Sequence, residues 1–240
     1  MTDAHAHIGT PEELLVRERH GIRTILCGTQ PESAAQVTGI ATRSPLFVPC
    51  CALHPWQSAL HQPEDMLPFL ACCPIVGETG LDSTWCKVPM KAQMHAFLWN
   101  LDYSARTHKP IVLHTKGEER RIARILRQYS MTKVVHWYSS EEPPMEYLDQ
   151  DCYFTIGPDA LTNRAVQQVI ALAPLHRLLI ETDGMGAVSW AMDEAVPTDA
   201  LPDVLSCIMH TIATLRNLPI AEVHALIERN FDALLANPSR

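Results

Sequence analysis

The chain has 240 residues and a mass of 26.8 kDa, with 47% hydrophobic and 19% charged residues and a formal net charge of −8 at pH 7. That composition excludes a disordered polar chain, and no apolar run reaches the roughly 18 residues that a bilayer-spanning helix needs. The acidic balance also excludes a broad basic surface as the means of holding a nucleic acid, which leaves local metals or a small basic patch for any such substrate. The start, Met1-Thr2-Asp3-Ala4-His5, lacks the basic-then-apolar build of a secretory signal, so the sequence predicts a cytoplasmic globule with no membrane partner. The eight cysteines form no C-x-x-C pair and are expected to be reduced, buried thiols.

In chain order, residues 2–4 open a first strand, followed by a helix over 11–20 with Thr10 as N-cap, Pro11 at its first position and Glu12-Glu13 in its first turn. Short apolar, β-branched runs at 22–26, 46–48, 74–76, 111–113, 133–135, 153–156 and 178–180 read as strands buried on both faces. Segments with helical spacing lie at 89–107, 117–129, 163–173, 200–215 and 221–235. About eight strands alternating with helices predict an α/β fold, a TIM-like (βα)8 barrel, ideal or distorted, in a single domain over residues 1–240. A doubly wound open sheet is the alternative, weakened because no Gly-x-Gly-x-x-Gly follows a strand.

The unusual feature is what ends the strands. The first ends in His5-Ala6-His7, others in Gly77-Glu78, His114, His136 and Glu181-Thr182-Asp183. Strand C-termini of a parallel barrel open onto one face, so these groups converge on one mouth. Crowded carboxylates repel and buried charges are costly, and a divalent cation removes both objections. Period-two spacing points His5 and His7 to the same side of a strand. Taken singly, each residue has an ordinary explanation as a cap or a core histidine; five such features at five strand ends point to metal. Six candidate ligands exceed what one catalytic metal with an open position needs, which favours two.

The stretches Asp3-Ala4-His5-Ala6-His7, Gly77-Glu78-Thr79-Gly80-Leu81-Asp82, Leu113-His114-Thr115-Lys116, His136-Trp137-Tyr138-Ser139-Ser140 and Glu181-Thr182-Asp183 resemble, in order, the motif set of the TatD family of metal-dependent hydrolases in the amidohydrolase superfamily. Leu53-His54-Pro55 and the segment 228–235 add to the likeness. The resemblance implies a TIM-like barrel with two divalent ions (Zn, Mn, Mg, Ni or Fe): His5, His7 and Asp183 on one, His114 and His136 on the other, and Glu78 bridging them. It implies a phosphodiesterase of the 3′-exonuclease type acting on single-stranded DNA ends or another phosphodiester. Asp183 and Glu78 carry the chemistry, with Asp183 placed to take and return the proton of water.

His54 and Lys116 are candidates for contacting an anionic substrate. Lys116 stands where the family has arginine, and lysine cannot grip phosphate through two parallel hydrogen bonds. Trp56 replaces the second histidine of the family's Gly-Ile-His-Pro-His element, and Gly184-Met185-Gly186 follows Asp183 where Ala or Ser with Pro is usual. Because the candidate ligands persist while substrate-facing groups change, hydrolysis is the firmer expectation and the nuclease label the weaker. An amide, ester or lactone hydrolase acting on a small molecule is the main alternative, and a metal-carrying binding protein that has lost turnover is a third. Trp85, Trp137, Tyr138 and Trp190 are placed near the mouth, as base-stacking groups or plain walls. Residues 184–197 read as a loop beside the site. Oligomeric state is not legible.

Overall fold

The computed structural model describes residues 1–236; the last four of residues 1–240, assigned above to one domain, lie outside the described residues. Eight parallel strands follow one another around a barrel in sequence order: β1 (Thr2–His7), β2 (Arg23–Gly28), β3 (Phe47–Cys51), β4 (Ile75–Asp82), β5 (Ile111–Lys116), β6 (Lys133–Val135), β7 (Tyr153–Ile156) and β8 (Leu178–Ile180). The ring closes just past β8, where Ala6 and Asp183 form a parallel bridge and the Asp183 N–H donates to the His5 carbonyl at 3.0 Å. The barrel, not the open sheet, is the fold.

The lumen is filled by one or two apolar side chains per strand: Ala4, Ile25, Cys27, Cys50, Ile75, Val112, Val134, Tyr153 and Leu179. Phe231 and Leu234, from the helix Ile220–Ala236, join this cluster. That helix is anchored by Asn230, whose Nδ2 donates to the carbonyls of Leu175 and Leu178 at 2.8 and 2.7 Å, and by ion pairs from Arg23 to Glu228 and Asp232. It plugs the barrel at the N-terminal ends of the strands, so the open end is the one that carries the histidines.

The expected strands and helices fall where they were read, with shifted ends. β4 and β5 run on to Asp82 and Lys116, well past their apolar runs. Their polar ends still pair as strand because they face the mouth and not the core. Residues 184–197 contain a helix, Met185–Met192. Its residues are apolar nearly all round, so no periodic stripe announces it. It is fixed by tertiary contact: Glu13, already closing a capping box with Thr10, accepts the Met185 N–H at 3.1 Å. The helix Pro31–Ala41 is a second that the apolar spacing does not announce, since it carries Thr38 and Gly39, both weak helix formers, in its last turn.

All eight cysteines are free thiols. Five are buried as expected, but Cys72 is exposed and Cys86 and Cys207 are half-buried, which corrects that part of the expectation. Among the described residues no single helix is long and apolar enough to cross a membrane; the pair Thr198–Arg216 and Ile220–Ala236 meets the length and composition together but is bent by 112° and packs on the barrel.

Candidate metal centre

Two irregularities of the sheet aim the central residues. Pairing between β1 and β2 slips by one residue between Asp3 and Ala6, and pairing between β4 and β5 slips between Val76 and Thr79. Such bulges bend a strand and re-aim a side chain, and here they lie at His5 and Glu78. Glycine is required on both sides of Glu78. Gly77 has φ +149°, and a Cβ on Gly80 would lie 1.8 Å from the carbonyl oxygen of His114. Without a side chain at position 80, β4 approaches β5 closely enough for Glu78 to meet His114.

Glu78 is buried at the centre and divides its two oxygens between two groups of imidazoles. Oε2 lies 3.2 Å from His7 Nε2 and 3.5 Å from His5 Nε2. Oε1 lies 2.7 Å from His114 Nδ1, 3.6 Å from His54 Nε2 and 3.7 Å from His136 Nε2. Asp183 closes the first group, its Oδ1 at 3.3 Å from His5 Nε2 and 3.4 Å from His7 Nε2. It sits at φ 60°, in the left-handed region that Asp tolerates better than most side chains. All six expected ligands are thus brought together. His5, His7 and Asp183 form one set of donor atoms within 4.8 Å of one another; His5, Glu78 and His136 form a second, and His54, Glu78 and His114 a third. His114 and His136 both face Glu78 Oε1, with His54 beside them.

Each inner histidine is held from behind. His136 Nδ1 donates to Glu181 Oε2 at 2.8 Å, and His114 Nε2 donates to Asp82 Oδ2 at 3.1 Å. His7 Nδ1 reaches the Cys27 carbonyl at 3.4 Å, and His5 Nδ1 meets the Cys27 thiol at 3.3 Å. Outer partners of this kind set the tautomer and orientation of metal-binding imidazoles. Asp82, Glu181 and Cys27 therefore belong to the site, although the sequence reading assigned them no role. Asp82 and Glu181 lie within the quoted motifs, four residues after Glu78 and two before Asp183, and that proximity was the available signal. Asp82 Oδ2 also accepts the Trp56 Nε1–H at 2.7 Å, so the tryptophan that replaces the family's histidine braces the same carboxylate. Glu181→Ala is expected to lower cation affinity about 10- to 100-fold through loss of the His136 brace, measured by titration calorimetry.

The donor set fits divalent cations. His5 Nε2 and Asp183 Oδ1 are buried and face each other at 3.3 Å without a well-directed hydrogen bond, although poorly satisfied polar atoms in an interior are costly. Burial opposes the charge on Glu78 but is outweighed by His136, His54 and His114, which hold its carboxyl well below the usual range. Burial likewise opposes the charged form of His114, but Glu78 and Asp82 outweigh it and raise the pKa to about 9. His5 is raised well above its ordinary value, the effect of burial being overcome by Cys27, Asp183 and Glu78. Protons therefore occupy, in the cation-free site, the positions that cations would take, and cation uptake must release them.

The stability consequence has a definite sign. His114 and His5, raised in the folded state, stabilise it fully below pH 6.5, and for His114 that contribution is lost as pH rises to about 9. Glu78, depressed, stabilises above the ordinary carboxyl value of 4.5, and its contribution is lost as pH falls below it. Chelated protein should resist urea best near pH 6.5, weakening from pH 6.5 to 9 as His114 loses its proton and also below pH 6.5, because His54, lowered to about 4, resists the proton that the unfolded chain takes up, whereas cation-loaded protein should not weaken on the alkaline side. Urea midpoints across pH check this; a flat alkaline limb after chelation contradicts it.

His54 is different. Its Nδ1 accepts the Trp56 backbone N–H at 3.2 Å, which places the proton on Nε2, and burial lowers its pKa to about 4. Binding a cation through Nε2 would require a proton on Nδ1, facing the Trp56 N–H. It therefore suits a neutral hydrogen-bond donor better than a ligand. Lys116 lines the same cavity, donates to Ser139 Oγ at 2.6 Å, and has its pKa lowered by burial. The cavity is about 750 Å³ and opens at the mouth beside Trp56, Trp85, Trp137 and Trp190. Tyr138, expected there, is instead buried with its hydroxyl on the Glu142 carbonyl at 2.8 Å.

An eight-stranded α/β barrel with imidazoles and carboxylates converging at the C-terminal mouth defines the class of metal-dependent hydrolases. Comparison with known proteins gives the family. The model for TatD related DNase matches residues 2–236, and the chain belongs to that family. It is 27% identical over 209 residues to an uncharacterized metal-dependent hydrolase TatD of Mycobacterium tuberculosis, covering 76% of this chain and 79% of the relative. It is also 27% identical over 172 residues to a 3′-5′ ssDNA/RNA exonuclease TatD of Citrobacter rodentium, covering 66% of this chain and 65% of the relative. The crystal structure of YJJV, a TATD homolog from Escherichia coli, superposes with a TM-score of 0.85 at 23% identity, covering 99% of this chain and 98% of that one.

Proposed function

We propose that the protein is a phosphodiesterase that removes nucleotides from ends of single-stranded nucleic acid, using two divalent cations held by His5, His7, Glu78, His114, His136 and Asp183. One observation carries the reading: Glu78 turns Oε2 toward His5 and His7 and Oε1 toward His114 and His136, the arrangement expected of a carboxylate shared by two cations. The exonuclease activity named for the Citrobacter relative supports the choice of substrate.

Divalent cations in such a cradle supply Lewis acidity and neutralise charge on a phosphoryl oxygen. The chain's own groups do the rest. Asp183, with Oδ1 turned to His5 and His7, takes a proton from the attacking water on its other oxygen, Oδ2, and returns it to the departing oxygen. His54 donates Nε2–H to a non-bridging oxygen, and the Lys116 ammonium sits against the phosphate charge. Glu181 and Asp82 keep His136 and His114 in the orientation that leaves one ring nitrogen facing the centre. His54→Ala should lower kcat/KM about 10²-fold, the cost of losing one preorganised donor, while the protein retains its cations. Steady-state kinetics and metal analysis on the same sample check both halves.

The test of function is a side-by-side assay of phosphodiester, amide and lactone substrates after reconstitution with Zn, Mn, Mg, Ni or Fe. Hydrolysis of single-stranded ends above all amides and lactones is expected. The opposite ranking returns the site to small-molecule hydrolysis.

A further inference from the structure

Three tryptophans frame one side of the cavity mouth. Trp85 and Trp190 are 47% and 65% exposed, unusual for the largest apolar side chain. The Trp190 ring stands nearly perpendicular to Trp85, with centroids 5.7 Å apart at 81°, and nearly perpendicular to Trp137, at 6.2 Å and 76°. The three rings thus form a corner. Trp137 is fixed in it by an Nε1–H bond to Asp159 at 2.8 Å, while Trp190 rides on the helix Met185–Met192 that starts two residues after Asp183.

Lys116 Nζ lies 4.4 Å from the centroid of Trp85, so one protein cation already sits on that ring. A corner of aromatic faces could also take a ligand cation, but Lys116 would repel one. A neutral planar group attached to an anion meets no such objection: the plane lies on a tryptophan face and the anion reaches Lys116. Lys116 is also the single Lys or Arg side chain lining the cavity among the described residues, against the carboxylates of Glu78, Glu119, Asp159 and Asp183. Cation-loaded, the centre accepts one phosphate. Inside the cavity no second Lys or Arg among the described residues is placed for those that follow along a strand; Lys87 lines the shallow groove on the outer side of Trp56 and Trp85.

Resting on the phosphodiesterase reading, we propose that Trp85, Trp137 and Trp190 form a nucleobase subsite, and that the enzyme recognises one stacked base with its adjoining phosphate and not a length of polymer. The cavity of about 750 Å³ is small-molecule-sized, within the roughly 300–1,000 Å³ range of such sites. A dinucleotide should therefore be about as good a substrate as a long single strand. The logarithm of kcat/KM should fall with the logarithm of salt at a slope of about −0.7, the value for a single phosphate contact.

The experiment has a binding arm that needs no turnover. Nucleoside monophosphate should quench tryptophan fluorescence of the wild-type protein, and ribose phosphate should not. Trp190→Ala should lose most of that quenching and Trp190→Phe recover binding in competition assays; Trp99→Phe, a ring stacked on Tyr103 in the helix Met90–Thr107, should leave binding unaltered. In the kinetic arm, Trp190→Ala should lower kcat/KM for a dinucleotide about tenfold, the scale of one lost base stack, and shrink the preference over an abasic analogue. Quenching that depends on Trp190 without any phosphodiester hydrolysis would keep the subsite and discard the hydrolytic reading. Absent quenching, an unchanged preference in Trp190→Ala, or long strands cleaved far faster with a steep salt dependence, would overturn the subsite.

Discussion

Replacing Glu78 by glutamine should abolish turnover, with a loss of about 10³-fold or more, larger than the 10- to 100-fold cost of removing an outer partner. The amide keeps the volume and one acceptor oxygen but loses the charge that faces His5, His7, His54, His114 and His136. Its NH2 group also points a donor at one of the two imidazole groups, where a cation would have to bind. Metal analysis should show fewer cations per chain than in the wild type. The fold should persist at pH 8, because the imidazoles can shed protons once the carboxylate is gone. Full cation content in Glu78→Gln would remove the bridging role.

Asp183→Asn should cost about 10²- to 10⁴-fold in kcat, the range for a general acid or base, with a smaller effect on KM. Asparagine is the informative replacement because residue 183 sits at φ 60°, and asparagine tolerates that conformation as aspartate does. Alanine would add backbone strain to the chemical loss. Burial opposes the charge on Asp183, but His136, His5 and His7 outweigh it and hold the carboxyl below its ordinary range. That leaves it ionised and ready to accept a proton at neutral pH. The measurement is a kcat against KM comparison at saturating cation, with circular dichroism to verify the fold. A variant that keeps its rate places the base elsewhere, and Glu78 would be the next carboxylate to examine.

The parts legible in the sequence share a physical origin. A strand buried on both faces must be largely apolar, so β6, β7 and β8, with only Lys133 and Thr155 as polar members, appear as short hydrophobic runs whose ends match the structure. Polar residues at the ends of such runs are costly unless they converge, and this makes His114 and His136, directly after their runs, and Asp183, three residues past Ile180, visible one at a time. The helix Met185–Met192 could not be seen in the same way, because an apolar helix without a polar face has no period to detect. Asp82 and Glu181 were passed over for a related reason: an outer carboxylate is defined by the imidazole it holds, and that partner lies 32 residues from Asp82 and 45 from Glu181.

By itself the amino-acid sequence determined the βα alternation and the residue types that end the strands, because each rests on local patterning that a single strand or helix already displays, while closure of the sheet into a barrel was decided by the pairing of its first and last strands. Tertiary structure decided how those groups are shared. The slips in pairing at His5 and Glu78, the approach of β4 to β5 at Gly80, the placing of His54 beside His114 and His136 at Glu78 Oε1, and the tryptophan corner all depend on distances between strands and loops remote in the chain. Such distances are set by the packing of the whole barrel, and no short stretch of residues encodes them.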